Sequence, residues 1–341
     1  MRKFKLLIVI VISFQVNFIL AQSDAILNKW ERAVINVHSI VADTAYMDFK
    51  LKQFRLLDSL HHAGLISQEQ LAYERNEIFS SKQSTGTVVL MENQNAFYFL
   101  TASHVLLARL PQYVYHSDDN TIEKTEVNFI PNELRVIPRA GNFSDTIHTI
   151  KQIHINAYQD LTGHITHWIR ADIALWSISS LIPEFDKELK NEKYKPITFD
   201  DIAWDEQIKV GREVFAIGFP GAVSNLDEEP VRQMNGNRFN HPVSSLPMTS
   251  WGRVGMSHPE SVLTYVDISV YPGNSGGPIV DASTGKLLGI VSAQKSERVL
   301  LGNEITNYRH RIPFAVVVNW RGIDGVVDLH NTEASSRNSR D

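Results

Sequence analysis

Ser275 stands in the run Gly273-Asn274-Ser275-Gly276-Gly277-Pro278. A serine hydroxyl is a weak nucleophile. Acyl transfer through it needs a base beside it, a partner that fixes the base's tautomer, and N–H donors where the carbonyl oxygen becomes negative. Glycine before and after Ser275 lets the amides of Gly273 and Ser275 turn toward one point. Taken alone, the hexapeptide fits two kinds of catalytic turn and also an ordinary glycine-rich loop. One of the catalytic kinds, the G-x-S-x-G elbow, needs a helix directly after the serine. Here "GGPIVDASTGKLLGIVSA" follows, which reads as strand, turn, strand, so the elbow fails on context.

Two upstream stretches supply the missing groups. "FLTASHVLLARL" puts His104 at the end of an apolar strand, and "RADIALWSI" puts Asp172 at the entrance to the apolar run Ile173 to Trp176. A carboxylate entering such a run is unfavourable unless paired. Singly, each residue has a duller reading, a satisfied histidine and a capping aspartate. Together, in the order His, Asp, Ser, they match one arrangement of a catalytic triad, with base and orienting acid in one half of the chain and nucleophile in the other.

These residues must be carried by strands. From Ser84 on, runs such as "STGTVVLM", "AFYFLTA", "ADIALWSI", "REVFAIGF" and "VLTYVDISV" are rich in β-formers and separated by Gly, Pro, Asn and Asp. That rhythm belongs to an all-β barrel or sandwich. Arg32 to Val41 reads as an earlier strand. Between them, Met47, Leu51, Phe54, Leu57 and Leu60 recur at helical spacing up to Gly64, and Ser67 with Gln70 forms a capping-box pattern, so 45–80 is expected to be a helical hairpin. The charged stretch 183–204 reads as a linker, and the polar end, 326–341, as a frayed tail. This divides the chain into 22–44, 45–80, 81–182 with His and Asp, 183–204, 205–325 with Ser, and 326–341.

The first residues are basic, "MRKFK", and are followed by the apolar run "LLIVIVISF". This is the order of a secretory signal covering 1–21, with cleavage after Ala21 or, as a second option, Ala25. Gln15 and Asn17 interrupt the run, which is short for a membrane span of about 20 residues, so no stable membrane anchor is expected. Export together with zero cysteines points to a periplasmic or secreted bacterial protein whose core stands without disulfides. A net charge of −5 argues against a nucleic-acid partner held by a broad basic surface. His148, His154, His164 and His167 are loosely clustered, but no cysteine or well-spaced acid completes a metal set, and no metal or other cofactor is expected.

"TASHV", "DIALW" and "DISVYPGNSGGP" resemble the three signature segments of the trypsin-like (chymotrypsin-fold) serine proteases, in particular the HtrA/Deg branch. "VGREVFAIGFPG" and "GKLLGIVSA" resemble two further strands of that branch. The resemblance implies two six-stranded antiparallel β-barrels, with the helical hairpin as an insertion. It implies His104 as general base and acid, Asp172 as its orienting partner, and Ser275 as the acylated nucleophile, with the Gly273 and Ser275 amides as the oxyanion hole. Ser292, Ala293 and Gln294 would pair with the backbone of protein or peptide substrates. Ile268 and Ser269 would lie near the base of the primary pocket, where Asp267 is the one acid nearby, which implies a small or medium apolar side chain before the scissile bond. Asn274 departs from the aspartate that digestive relatives use to bind a freshly cut N-terminus, so activation by that ion pair is not expected. The residues after Ser275 suffice to complete a barrel and leave no room for an appended PDZ domain. Two rivals stand beside the endopeptidase reading. One is a latent or inactive binding or chaperone-like module, for instance through a flipped Gly273–Asn274 peptide. The other is an esterase that uses the same residues.

Overall fold

The computed structural model describes residues 23–40, 44–79, 84–93, 96–129, 133–137, 153–156, 165–178, 194–220, 245–301 and 304–338. The expected signal segment, His148, His164 and the first part of the expected linker lie outside these residues. A helix, α1 (residues 23–33), leads into β1 (Val34–Ile40), within the segment read as a strand. After the helical hairpin come β2 (Ser84–Asn93) and β3 (Ala96–Thr101), then later β6 (Glu133–Ile137), β7 (Ile153–Asn156), β8 (Ile165–Trp168) and β9 (Ile173–Ile178). They line up in the order β7-β6-β1-β2-β3-β9-β8, each pair antiparallel, and β10 (Ile197–Thr198) adds in parallel to β2.

Both faces of this sheet are buried, and the two-residue period of a strand shows how. Val88, Leu90, Phe99, Ala174 and Trp176 point into a core of the first half, together with Ile35 and Val37. Their alternates Val89, Met91, Leu100, Ile173 and Leu175 join the large core shared with the second half. That second half is a closed barrel of β11 (Glu213–Gly218), β12 (Met248–Ser257), β13 (Leu263–Asp267), β14 (Pro278–Asp281), β15 (Leu287–Leu301) and β16 (Glu304–Asn319), closed in the order β11-β12-β13-β16-β15-β14. Among the described residues strand therefore outweighs helix, consistent with the expected two-barrel, all-β architecture.

The hairpin consists of α2 (Thr44–His62) and α3 (Gln68–Phe79). Gly64 takes the left-handed conformation (φ 75°) that ends α2, and the Ser67 hydroxyl accepts from the Gln70 N–H at 3.1 Å to cap α3. The buried face of α2 is displaced from the one its leucine spacing suggests. Tyr46, Lys50, Gln53, Leu57 and Leu60 are buried, whereas Met47 and Leu51 are exposed. The reason is polar. The Gln53 side chain accepts from the Tyr113 N–H at 2.7 Å, and the Lys50 ammonium sits 4.4 Å from the Tyr46 ring. The Gln53 bond reaches a separate ribbon, β4 (Ala108–His116) paired with β5 (Thr121–Phe129), and Leu57, Leu60, Ile66, Leu71, Ile78 and Tyr113 make the small core between hairpin and ribbon.

Two stretches differ from expectation. The latter part of the linker is packed: Tyr194, Ile197, Ile202 and Ala203 are buried, because apolar residues alternate with the charges there. The end read as a frayed tail from 326 belongs instead to a helix, α5 (Trp320–Asn338). Ile323 and Val326, three residues apart, face the core and are fully buried. Gly325 lies so close to Trp168 of β8 that a Cβ would fall 2.7 Å from the indole ring, and the His330 Nδ1 is 3.0 Å from the Thr166 hydroxyl. The helix thus straps the barrel's last strand to the first-half sheet, which the polar run beyond residue 331 concealed.

Candidate active site

His104 lies on a single helical turn, α4 (Ser103–Leu106), directly after β3. Ser103, Val105 and Leu106 are buried and anchor the turn, leaving the imidazole partly exposed between them. Asp172 sits between a short 3-10 turn (Ile169–Ala171) and β9, with φ 57°, a left-handed conformation that aspartate tolerates better than most side chains. That bend turns its carboxylate back on α4. Oδ1 accepts from the His104 backbone N–H at 3.1 Å, and Oδ2 accepts from the ring Nδ1–H at 2.8 Å. The backbone is tied as well: the Ser103 N–H donates to the Asp172 carbonyl at 3.2 Å, and the Ser103 hydroxyl to the Ile173 carbonyl at 2.7 Å.

The barrel contributes a third contact. The Ser292 hydroxyl donates to Asp172 Oδ2 at 2.6 Å, and the Ser275 hydroxyl donates to the Ser292 carbonyl at 3.4 Å. His104, Asp172, Ser292 and Ser275 therefore form one connected set at the seam between the halves. Burial by itself would raise the Asp172 carboxyl. The hydrogen bonds and charge of His104, with the bond from Ser292, outweigh it and hold the group below the ordinary carboxylate value. The bond from Nδ1 to the carboxylate fixes the orientation of the ring.

The turn around Ser275 is built by backbone. Gly273 (φ 104°) and Gly276 (φ 82°) adopt conformations that L side chains rarely take. A Cβ on Gly276 would fall 1.9 Å from the Thr101 hydroxyl and 2.1 Å from the Thr87 carbonyl. The Gly276 N–H donates to the Val291 carbonyl at 2.7 Å, and the Val291 N–H to the Gly277 carbonyl at 2.8 Å, locking the turn to β15. Among the described residues, neither the Gly273 nor the Ser275 amide donates to a backbone carbonyl.

Thr87 of β2, a residue that sequence reasoning passed over, reaches this turn from the other half. Its N–H donates to the Ser275 carbonyl at 2.8 Å and its hydroxyl to the Gly273 carbonyl at 2.8 Å, while the same hydroxyl accepts from the Phe219 N–H at 3.1 Å. The Asn274 N–H donates to the Tyr271 carbonyl at 2.9 Å, so the Gly273–Asn274 peptide is held at both ends. The signal in the sequence was slight, a threonine at a β-strand position where threonine is ordinary. The Asn274 side chain is buried, with Oδ1 against Gly218 and without a hydrogen-bond partner among the described residues. A carboxylate there would be a buried, unpaired charge, whereas the amide is neutral.

The other expected site residues flank this seam. Ser292 is buried, Ala293 exposed and Gln294 half-buried on β15, with the Gln294 amide donating to the Ile312 carbonyl at 3.3 Å. Ile268 is buried and its N–H donates to the Pro313 carbonyl at 3.1 Å, while Ser269 and Asp267 are exposed. Of the loosely clustered histidines, His167 lies exposed on β8 and His154 is paired with Arg135 in the β6–β7 register.

Residues 85–290, more than half of the chain, match the family model described as a trypsin-like peptidase domain. That span takes in His104, Asp172 and Ser275. Two solved structures similar to the chain are crystal structures of Rv3671c in its inactive form, one of them a serine-to-alanine variant of the protein from M. tuberculosis H37Rv. The variant is 12% identical with a TM-score of 0.41, covering 90% of each chain. The other is 13% identical with a TM-score of 0.40, covering 89% of this chain and 91% of its own. No curated protein matches the chain.

Proposed function

Because the chain belongs to the trypsin-like peptidase domain family, we propose that it is an exported serine endopeptidase working through His104, Asp172 and Ser275. The observation that carries this reading is the connected set at the seam: a carboxylate 2.8 Å from the imidazole and joined through Ser292 to the Ser275 hydroxyl. In the first step the Ser275 oxygen attacks the scissile carbonyl while His104 takes its proton. The oxygen that becomes negative is met by the Gly273 and Ser275 amides. His104 then returns the proton to the departing amine, leaving an acyl group on Ser275. Water, deprotonated by His104, attacks that ester and frees the acid and the serine. Asp172 keeps the imidazole in the tautomer that can accept at its outer nitrogen and stabilises the imidazolium that forms.

The buried Ile268 and the short side chains of Ser269 and Ala293 favour a small or medium apolar side chain before the scissile bond. Export is supported by the basic start and apolar run of residues 1–21 and places the protein in the periplasm or outside the cell. The testing experiment is covalent labelling of the mature protein by a fluorophosphonate. Labelling of the wild type that is lost in Ser275→Ala and His104→Ala supports the reading. A folded wild type that stays unlabelled contradicts it and favours a binding module on the same fold.

A further inference from the structure

The longest strands of the second half are β15, of 15 residues, and β16, of 16. Up to Ile290, β15 has β14 on one side and β16 on the other. Beyond Ile290, among the described residues, β16 is its only strand partner, and the pairing runs on to Leu301 and Glu304. β16 in turn meets β13 only from Phe314 to Val318. Residues 295–301 and 304–311 therefore form a two-stranded ribbon beyond the closed barrel, and barrel closure does not require it. One edge of that ribbon continues directly from Ser292, Ala293 and Gln294. Register shifts between Gln294 and Ser296 and between Arg298 and Leu300 bend it without ending the pairing.

We propose that this edge lengthens the substrate cleft: an extended peptide pairs antiparallel with β15 from Ser292 toward Leu301, with acidic residues favoured along 295–301. The inference rests on the peptidase reading above. A strand edge with no further strand partner among the described residues offers a row of N–H and C=O groups that a peptide in extended form satisfies. Antiparallel pairing fixes the polarity, so the residues preceding the scissile bond run toward Leu301. At about 3.4 Å per residue in either strand, the edge accommodates roughly nine of them.

Charge selects among such peptides. Segment 295–311 holds Lys295, Arg298, Arg309 and Arg311 against Glu297 and Glu304, an excess of two positive charges, in a chain whose net charge is −5. The added strand would lie about 4.8 Å from β15 and roughly 10 Å from β16. With a screening length of about 8 Å at physiological salt, its carboxylates feel Lys295 and Arg298 most and the β16 cations only weakly.

The test uses quenched peptides that share the same four residues before the scissile bond. One is capped there, and three others are extended by five acidic, neutral or basic residues. The acidic extension is expected to raise kcat/KM about tenfold over the capped peptide, as two or three exposed charge pairs would. The gain should shrink at 0.5 M salt (about a 4 Å screening length) and in the Arg298→Gln/Arg309→Gln protein. Equal rates for acidic and basic extensions overturn the proposal, as does a purely dimeric ribbon seen by light scattering together with no effect of extension. Fluorophosphonate labelling of Ser275 and cleavage of the capped peptide are measured alongside. If both fail, the peptidase reading is at fault; if both persist, only this inference is.

Discussion

In the C-terminal barrel, Ser275 is placed by backbone: two glycines in left-handed conformations, and amides of the turn paired to β15. In the N-terminal half, His104 and Asp172 are placed by side chains, on a four-residue helix and a single bent residue at the start of β9. On the proposed reading, a nucleophile whose turn leaves two amides for the oxyanion can be held only by what surrounds those amides, and glycine allows the tight packing this needs. On the same reading, a base that moves protons needs a contact that orients it, which Asp172 supplies. The halves are then tied together by two hydroxyl-bearing side chains that cross the seam, Thr87 into the serine turn and Ser292 onto Asp172. The comparison says that backbone changes should break folding on the serine side, and that side-chain changes should break function on the histidine side.

Asp172→Asn tests the histidine side most severely. It keeps the shape but presents an N–H to the ring, and kcat should fall by about 10⁴, with the fold retained by circular dichroism. The same variant has a pH signature. Asp172 is held below its ordinary value in the folded chain, so its ionised form favours folding. That contribution is complete above the unfolded value of about 3.9 and is lost as pH falls through the folded value. Acid denaturation of Asp172→Asn should lack this loss. An identical acid profile for wild type and variant would show that the pair does not contribute.

On the serine side, Gly276→Ala drives a methyl into Thr101 and the Thr87 carbonyl and strains φ. Urea unfolding should show a loss of about 3–5 kcal/mol. Across the seam, Thr87→Val removes a buried donor to Gly273 and an acceptor for Phe219. It should cost about 2–4 kcal/mol and lower kcat more than it raises KM, with Thr87→Ser restoring both. Away from the seam, Gly64→Ala at the turn of the helical hairpin meets open space but keeps a positive φ. It should cost about 1 kcal/mol and leave kcat/KM unchanged. A large activity loss there would mean that the hairpin takes part in the reaction.

What could be read in the sequence follows the same division. The β-rich rhythm, the helical hairpin with its Gly64 and Ser67 ends, and the grouping of His104, Asp172 and Ser275 rest on local signals. Residue type, spacing and turn chemistry carry them. Thr87 carries no such signal, since nothing in "STGTVVL" says that its hydroxyl meets a carbonyl far along the chain. The inner face of α2 was misread because Lys50 and Gln53 are buried through a cation–ring contact and a hydrogen bond, which hydrophobic spacing does not register. The terminal helix was hidden because its buried residues, Trp320, Ile323 and Val326, all come at its start, before the polar residues begin. Ser292 was expected at the substrate edge, and its bond to Asp172 depends on how the two halves dock.

The central claim is that the two halves make one catalytic unit. It is tested most directly by peptide hydrolysis in Ser275→Ala, His104→Ala and the double variant. If the residues act together, the double variant is no slower than the slower single one, because the first change already removes what the second would. Losses that multiply in the double variant would mean that Ser275 and His104 act independently, and would contradict the account.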